Sequence, residues 1–119
     1  MIIRSLKDAA EFKAGDASLL KELLHPAKDP LDIRYSLARA VVGPGGKTLP
    51  HRLKSAEVYY ILSGRGSMRV GDERAEVEPG QAVYIPPGQV QSIENIGQDD
   101  LAFLCIVDPA WRAEDEDLS

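Results

Sequence analysis

Gly45-Gly46-Lys47-Thr48-Leu49-Pro50-His51-Arg52-Leu53-Lys54-Ser55-Ala56-Glu57, closed by Gly64, is the stretch whose reading decides the fold. Side chains of an extended strand point alternately to opposite faces. If this segment is extended, His51, Leu53, Glu57 and Tyr59 point to one side, which makes that side the candidate site. Imidazole and carboxylate on one face of an apolar stretch form a donor pattern for a divalent first-row metal. A second cluster opens at Gly80, where Gln81 to Ile85 lead into Pro86-Pro87-Gly88, and Gln91, Ile93 and Asn95 then alternate.

The two clusters together resemble the cupin superfamily. Its first motif places five residues between Gly and His, one before a second His, three or four before Glu and six before Gly; its second runs Gly, Pro, Gly, His, Asn at fixed spacing. Gly45, His51, Glu57 and Gly64 fit the first motif without a gap, and Gly80, Pro86, Gly88 and Asn95 fit the second. Leu53 stands where the family has its second His, and Gln91 where it has its third. Both losses fall on the chemistry and not on the fold. The resemblance implies an all-β fold, a cupin double-stranded β-helix or jelly-roll barrel of antiparallel strands, whose interior holds one small ligand.

Turn signals support that architecture independently. Gly43-Pro44-Gly45-Gly46, Ser63-Gly64-Arg65-Gly66, Gly71-Asp72, Glu78-Pro79-Gly80, Pro86-Pro87-Gly88 and Asn95-Ile96-Gly97 recur at short intervals with β-branched and aromatic runs between them. The pattern places strands near 33–42, 49–53, 57–62, 67–70, 74–77, 82–85, 90–95 and 101–107. Asp16 followed by Ala17-Ser18-Leu19-Leu20-Lys21-Glu22-Leu23-Leu24 carries an N-cap candidate and leucines at helical spacing. The same leucines alternate as a strand would, and the resemblance tips this segment to strand. The organisation expected is one domain over 1–119: an N-terminal extension at 1–32, a barrel at 33–107 and a solvated acidic tail at 108–119, with Trp111 its last packed side chain.

A chain of 119 residues with 44% hydrophobic and 28% charged residues is globular in composition. A net charge of −5 argues against nucleic-acid partners, which need clustered Lys and Arg. No apolar run approaches the roughly 20 residues needed to span a bilayer, so no membrane partner is expected. The N-terminus lacks a signal-peptide apolar region, and the single Cys105, in an apolar run, reads as a buried thiol; the cytoplasm is the expected compartment.

By the resemblance, His51 and Glu57 are the strong metal ligands, for a divalent ion such as Mn, Fe, Ni or Zn. Gln91 offers an amide oxygen, a weaker donor, and reads equally as a satisfied interior amide. His25, the only other histidine, is a candidate substitute ligand if its segment crosses the barrel mouth; the competing reading is a loop histidine. Without a metal, Glu57 and His51 read as a hydrogen-bonded pair, since a buried carboxylate needs a partner. Glu57 and Tyr59 are the candidates for proton exchange with a substrate. Arg39 interrupts an apolar strand and is a candidate partner for Glu57 or for an anionic substrate, or else an exposed edge residue. Asn95 is expected to order the turn at Gly97. The function expected is a small, metal-binding cupin that binds or acts on a sugar-derived or carboxylate-bearing molecule, as isomerase, lyase or dioxygenase. The alternative is a non-catalytic ligand-binding cupin with a degenerate metal site. Small cupins pair, so a homodimer is expected, with Ile2-Ile3-Arg4 and the 101–107 run as interface candidates.

Overall fold

Glycine turns cut the chain into short strands that all pair antiparallel. The computed structural model describes residues 1–118. Its strands are β1 (Glu11–Lys13), β2 (Leu19–Leu24), β3 (Ser36–Val42), β4 (Arg52–Leu53), β5 (Ala56–Ser63), β6 (Gly66–Val70), β7 (Glu73–Val77), β8 (Ala82–Ile85), β9 (Gln91–Asn95), β10 (Leu101–Asp108) and β11 (Glu116–Asp117). One sheet has the order β1-β2-β3-β10-β5-β8, a second has β7-β6-β9, and β11 pairs with β4 alone. This is an all-β jelly roll. No helix among the described residues is long and apolar enough to cross a membrane.

The strict alternation of burial in β3 and β10 explains how the two larger sheets face one another. Ala40, Val42, Leu101 and Phe103 turn inward with Ile61 and Ile85, against Met68 and Ile93 of the facing sheet. Burying each of these larger aliphatic and aromatic side chains contributes roughly 1.5–3 kcal/mol. The rings of Tyr59 and Phe103 meet with centroids 4.4 Å apart and tilted by 35°. Along β5 and β10 this apolar filling stops part-way: Phe103 stands opposite Ile61, but Cys105 stands opposite Tyr59 and Val107 opposite Glu57. The packed core therefore continues through Tyr59 and Cys105 and meets the carboxyl of Glu57 on β5.

One expectation holds, and others are corrected. Residues 19–24 form a strand, as the family likeness implied, because pairing with β1 and β3 overrides leucines that would suit a helix. Arg39 does not face Glu57. The inward residues of β3 are the even-numbered ones, so Arg39 lies on the outer face, 3.9 Å from Glu11. The acidic tail is docked: Arg112 holds Asp115 through two bonds of 2.9 Å, and β11 pairs Glu116 with Leu53 and Asp117 with Arg52. Ser119 of that tail lies outside the described residues. The 101–107 run offers no edge, since β3 and β5 flank it on both sides. Its outward residues instead join an apolar outer face, in which Leu37, Ile106, Val58 and Tyr84 form one cross-strand row.

Gly64 shows why a motif glycine is fixed. Its φ is +83°, and a Cβ there would lie 2.6 Å from the Asp100 carbonyl oxygen and 2.8 Å from Leu101 Cα. Gly80 has φ +89° but open space around it. Gly64→Ala is therefore expected to cost about 2–3 kcal/mol or more, combining backbone strain with a clash against main chain. Gly80→Ala should cost only the left-handed strain, about 1–2 kcal/mol. Urea denaturation of the two variants measures the difference, and equal losses would remove the steric argument.

Candidate functional site

Residues 46–53 and 88–95 run antiparallel and hold the site together. His51 and Gln91 exchange both backbone bonds, His51 N–H to the Gln91 carbonyl at 3.1 Å and Gln91 N–H to the His51 carbonyl at 2.8 Å. Thr48 donates to the Ile93 carbonyl at 2.9 Å, and Ile93 N–H donates to Thr48 Oγ1 at 2.9 Å. Gly88 N–H closes the end on the Leu53 carbonyl at 2.7 Å. Asn95 anchors the far end, donating to the Val42 and Asp99 carbonyls and accepting from Gly97 N–H at 2.9 Å, the turn role expected of it.

A cavity of about 310 Å³ opens where the packed core ends. His51, Leu53, Glu57 and Tyr59 all line it, the set that strand alternation placed on one face. Leu53, buried, presents only carbon where the family motif has an imidazole. Asp16, Trp111 and Glu116 complete the wall from the flanking segments. A larger open groove of about 950 Å³ runs along β7 and β8, but none of His25, His51, Glu57, Tyr59 or Gln91 lines it.

His51 is 4% exposed, and its Nδ1 lies 2.8 Å from the Leu49 carbonyl. A carbonyl only accepts, so Nδ1 carries the hydrogen and, in the neutral ring, Nε2 keeps its lone pair. Nε2 stands 3.9 Å from Asp16 Oδ2, too far for a hydrogen bond. Asp16 is oriented by Ser18, whose N–H and hydroxyl both donate to Oδ1, at 3.0 and 2.7 Å. Tyr59 donates to Gln91 Oε1 at 2.9 Å. That bond takes one of the two lone pairs on the oxygen Gln91 could offer as a ligand.

Glu57 is 5% exposed, stands between Val107 and Ile85 in the sheet, and its Oε1 has no hydrogen-bond partner. Burial pushes its pKa up to about 8, against a lowering pull from the Gln91 amide, with smaller upward contributions from the charges of Asp16 and Glu116. The pull is real but incomplete, since Gln91 Nε2 makes no hydrogen bond of ordinary geometry. An empty cavity at neutral pH thus holds Glu57 mostly as the acid. Burial also raises the Tyr59 hydroxyl and the Cys105 thiol well above their ordinary values, with the Glu57 charge adding to both.

The structure does not bring His25 to this cavity. Its Nδ1 accepts from Ala27 N–H at 3.1 Å, so its Nε2 donates to the Trp111 carbonyl, 2.7 Å away. It fastens one flanking segment to the other. Of the expected donors, His51 Nε2 and Glu57 Oε1 make no hydrogen bond, Gln91 Oε1 accepts one from Tyr59, His25 is used between the flanking segments, and Leu53 offers nothing. Among the described residues no group of three or more His, Cys, Asp or Glu stands close enough to hold a metal ion.

Asp16, Trp111 and Glu116 were not singled out for the site from sequence. Asp16-Ala17-Ser18 does carry a signal, an Asp two residues before Ser at a turn, and the turn puts Ala17 at φ 79°. Arg112 three residues before Asp115 is the signal that the tail folds back. Trp111 Nε1 donates to Glu116 Oε2 at 2.9 Å and sets that carboxylate at the cavity wall.

Comparison with known proteins follows from this geometry. A family model described as the cupin domain matches residues 38–107. The chain is a cupin. An uncharacterised protein of Methanocaldococcus jannaschii is 44% identical over 104 residues, covering 87% of this cupin and 82% of that protein. Glucose-6-phosphate isomerase of Pyrococcus furiosus is 31% identical over 101 residues, 81% of this cupin but 49% of the isomerase, so the chain spans about half of that relative. The crystal structure of a predicted oxalate decarboxylase from Thermotoga maritima superposes with a TM-score of 0.78 at 24% identity, over 92% of this chain and 99% of that one. That likeness establishes the fold alone.

The raised pKa of Glu57 gives a stability test. Folded Glu57 keeps its proton up to pH of about 8, whereas unfolded Glu57 loses it above about 4.5. Its contribution is present in full below the unfolded value and is lost as pH rises through the window between the two. The slope is about 1.4 kcal/mol per pH unit at most. Glu57→Gln lacks this group, so the stability of wild type relative to Glu57→Gln should fall between pH 5 and 8 and level off above. Urea denaturation across that range measures it, and parallel curves would mean Glu57 is not held as the acid.

Proposed function

We propose that this cupin binds a small polar molecule in the cavity lined by His51, Glu57 and Tyr59, and that Glu57 exchanges a proton with it. One observation carries the reading: Glu57 Oε1 is buried on the cavity wall without a hydrogen-bond partner. A buried polar atom left unpaired costs about 1–3 kcal/mol, which a ligand placing a donor there recovers. A group with a pKa near 8 gives or takes a proton readily at neutral pH. A sugar-derived or carboxylate-bearing skeleton is the kind expected from the family. The isomerase and oxalate-related names among its relatives are compatible with that range of ligands.

Binding without a resident metal is the reading that the donor set favours. The competing one places a divalent Mn, Fe, Ni or Zn ion on His51 and Glu57, and the anchoring of His51 Nδ1 on the Leu49 carbonyl, which leaves Nε2 open, speaks for it. Two copies of the chain pairing through the apolar outer face, where Tyr60, Leu62 and Tyr84 are 40%, 41% and 64% exposed, belongs to the same proposal.

Elemental analysis of the untagged protein and of His51→Ala separates the two. After incubation with Mn, Fe, Ni and Zn, followed by dialysis, the ligand reading expects far less than one equivalent in either sample. It further expects small-molecule hits in a thermal-shift screen that disappear in Glu57→Gln. About one equivalent of metal, absent from His51→Ala, would overturn it in favour of a metal centre.

A further inference from the structure

We propose that the molecule bound in this cavity is an organic cation, one that carries a protonated amine or guanidine group. The inference rests on the reading of the cavity given above, but it gives the ligand the opposite charge from the carboxylate-bearing skeleton that the family resemblance implies.

The argument begins with the sign of the wall. Asp16, Glu57 and Glu116 all line the same space. Glu22 lines it too but is matched by Lys28 at 2.6 Å. Lys13, the other cation at the cavity, sits on the exposed strand β1. His51 is tied through Nδ1 to a backbone carbonyl, and its Nε2 stands 3.9 Å from Asp16 Oδ2. An oxalate or a phosphorylated sugar would enter with its charge against three carboxyl groups and no unpaired interior cation to meet it.

The walls supply the rest of a cation site. Phe12, Tyr59 and Trp111 line the same cavity, and ring faces attract ammonium and guanidinium groups. Glu57 Oε1 is the unpartnered acceptor, and an N–H of a cation is a donor that pairs it. Closing the Gln91 amide onto Glu57 would fill one lone pair and leave the others open. A bare metal ion fits less well, because the ring walls give it nothing and no third donor is in place. The aromatic and acidic surfaces therefore act on one ligand: the rings on its charge, Glu57 on its hydrogens.

An isosteric series tests the sign directly. Protonated 4-aminobutan-1-ol, neutral 1,4-butanediol and anionic 4-hydroxybutyrate differ in charge and little in size. Titrations at pH 8.5 and low salt keep the amine protonated. The fluorescence of Trp111, the only tryptophan, reports occupancy of this cavity, with saturation-transfer NMR as a second readout. The aminoalcohol should bind at least about tenfold more tightly than the diol, and the hydroxybutyrate should bind least. Glu57→Gln, nearly isosteric, should abolish most of that preference, and Asp16→Asn should reduce it. A diol or hydroxybutyrate that perturbs Trp111 as strongly as the aminoalcohol would overturn the cation assignment while leaving a working small-molecule cavity. Failure of the aminoalcohol to bind at tens of millimolar would overturn it as well, and the thermal-shift screen then decides the broader reading by itself.

Discussion

The structure depends on the reciprocal backbone pairing of His51 with Gln91. Two sequence clusters far apart in the chain become one wall because residues 46–53 zip onto 88–95 through Thr48–Ile93, His51–Gln91 and Leu53–Gly88. Side chains play a small part in this contact, so it survives the exchange of an imidazole for Leu53 or Gln91. Buried main-chain donors and acceptors must be paired whatever the side chains do. The roll is therefore held at this seam by main chain.

What the roll then does is set by where its apolar filling ends. On β5 the inward series runs Ile61, Tyr59, Glu57, and on β10 it runs Phe103, Cys105, Val107. Glu57 is flanked by hydrocarbon on both neighbouring strands, while its own acceptor atom has no partner. Desolvation outweighs the pull of Gln91, and the result is a carboxyl poised near neutrality. Tyr59 is held differently: its hydroxyl is committed to Gln91, so its first role is to fix that amide and not to meet a ligand. Of the two residues expected to exchange protons, Tyr59 has its hydroxyl in a hydrogen bond, whereas Glu57 Oε1 has no partner.

Much of this was legible in the sequence. Period-two alternation put His51, Leu53, Glu57 and Tyr59 on one face, and glycine turns bounded the strands between 33 and 108, because both signals are local. The inner and outer faces of β3 were harder, since apolar residues occupy both sides of a sheet that is covered within and apolar without. The face that Arg39 takes stays open in the sequence on that account. His25 was scarce enough to look functional, yet its two nitrogens are used in fastening Ala27 and Trp111, contacts that span 86 residues in the second case and leave no local trace. The fate of the acidic tail also turned on distant partners, among them Leu53 and Arg52 in β4.

The mouth of the cavity is made from material that the core does not need. Asp16 and Gly15 come from the turn between β1 and β2, Trp111 and Glu116 from the segment after β10, and the two meet where a Cβ on Gly15 would touch Glu116 Oε1 at 2.8 Å. None of these residues belongs to the packed apolar cluster. Selection can therefore rework the lip, altering charge, reach or aromatic cover, without repaying the change in folding. In a lineage of such proteins the barrel would be inherited and the flanking segments would diverge, so that relatives sharing a roll need share neither ligand nor trade.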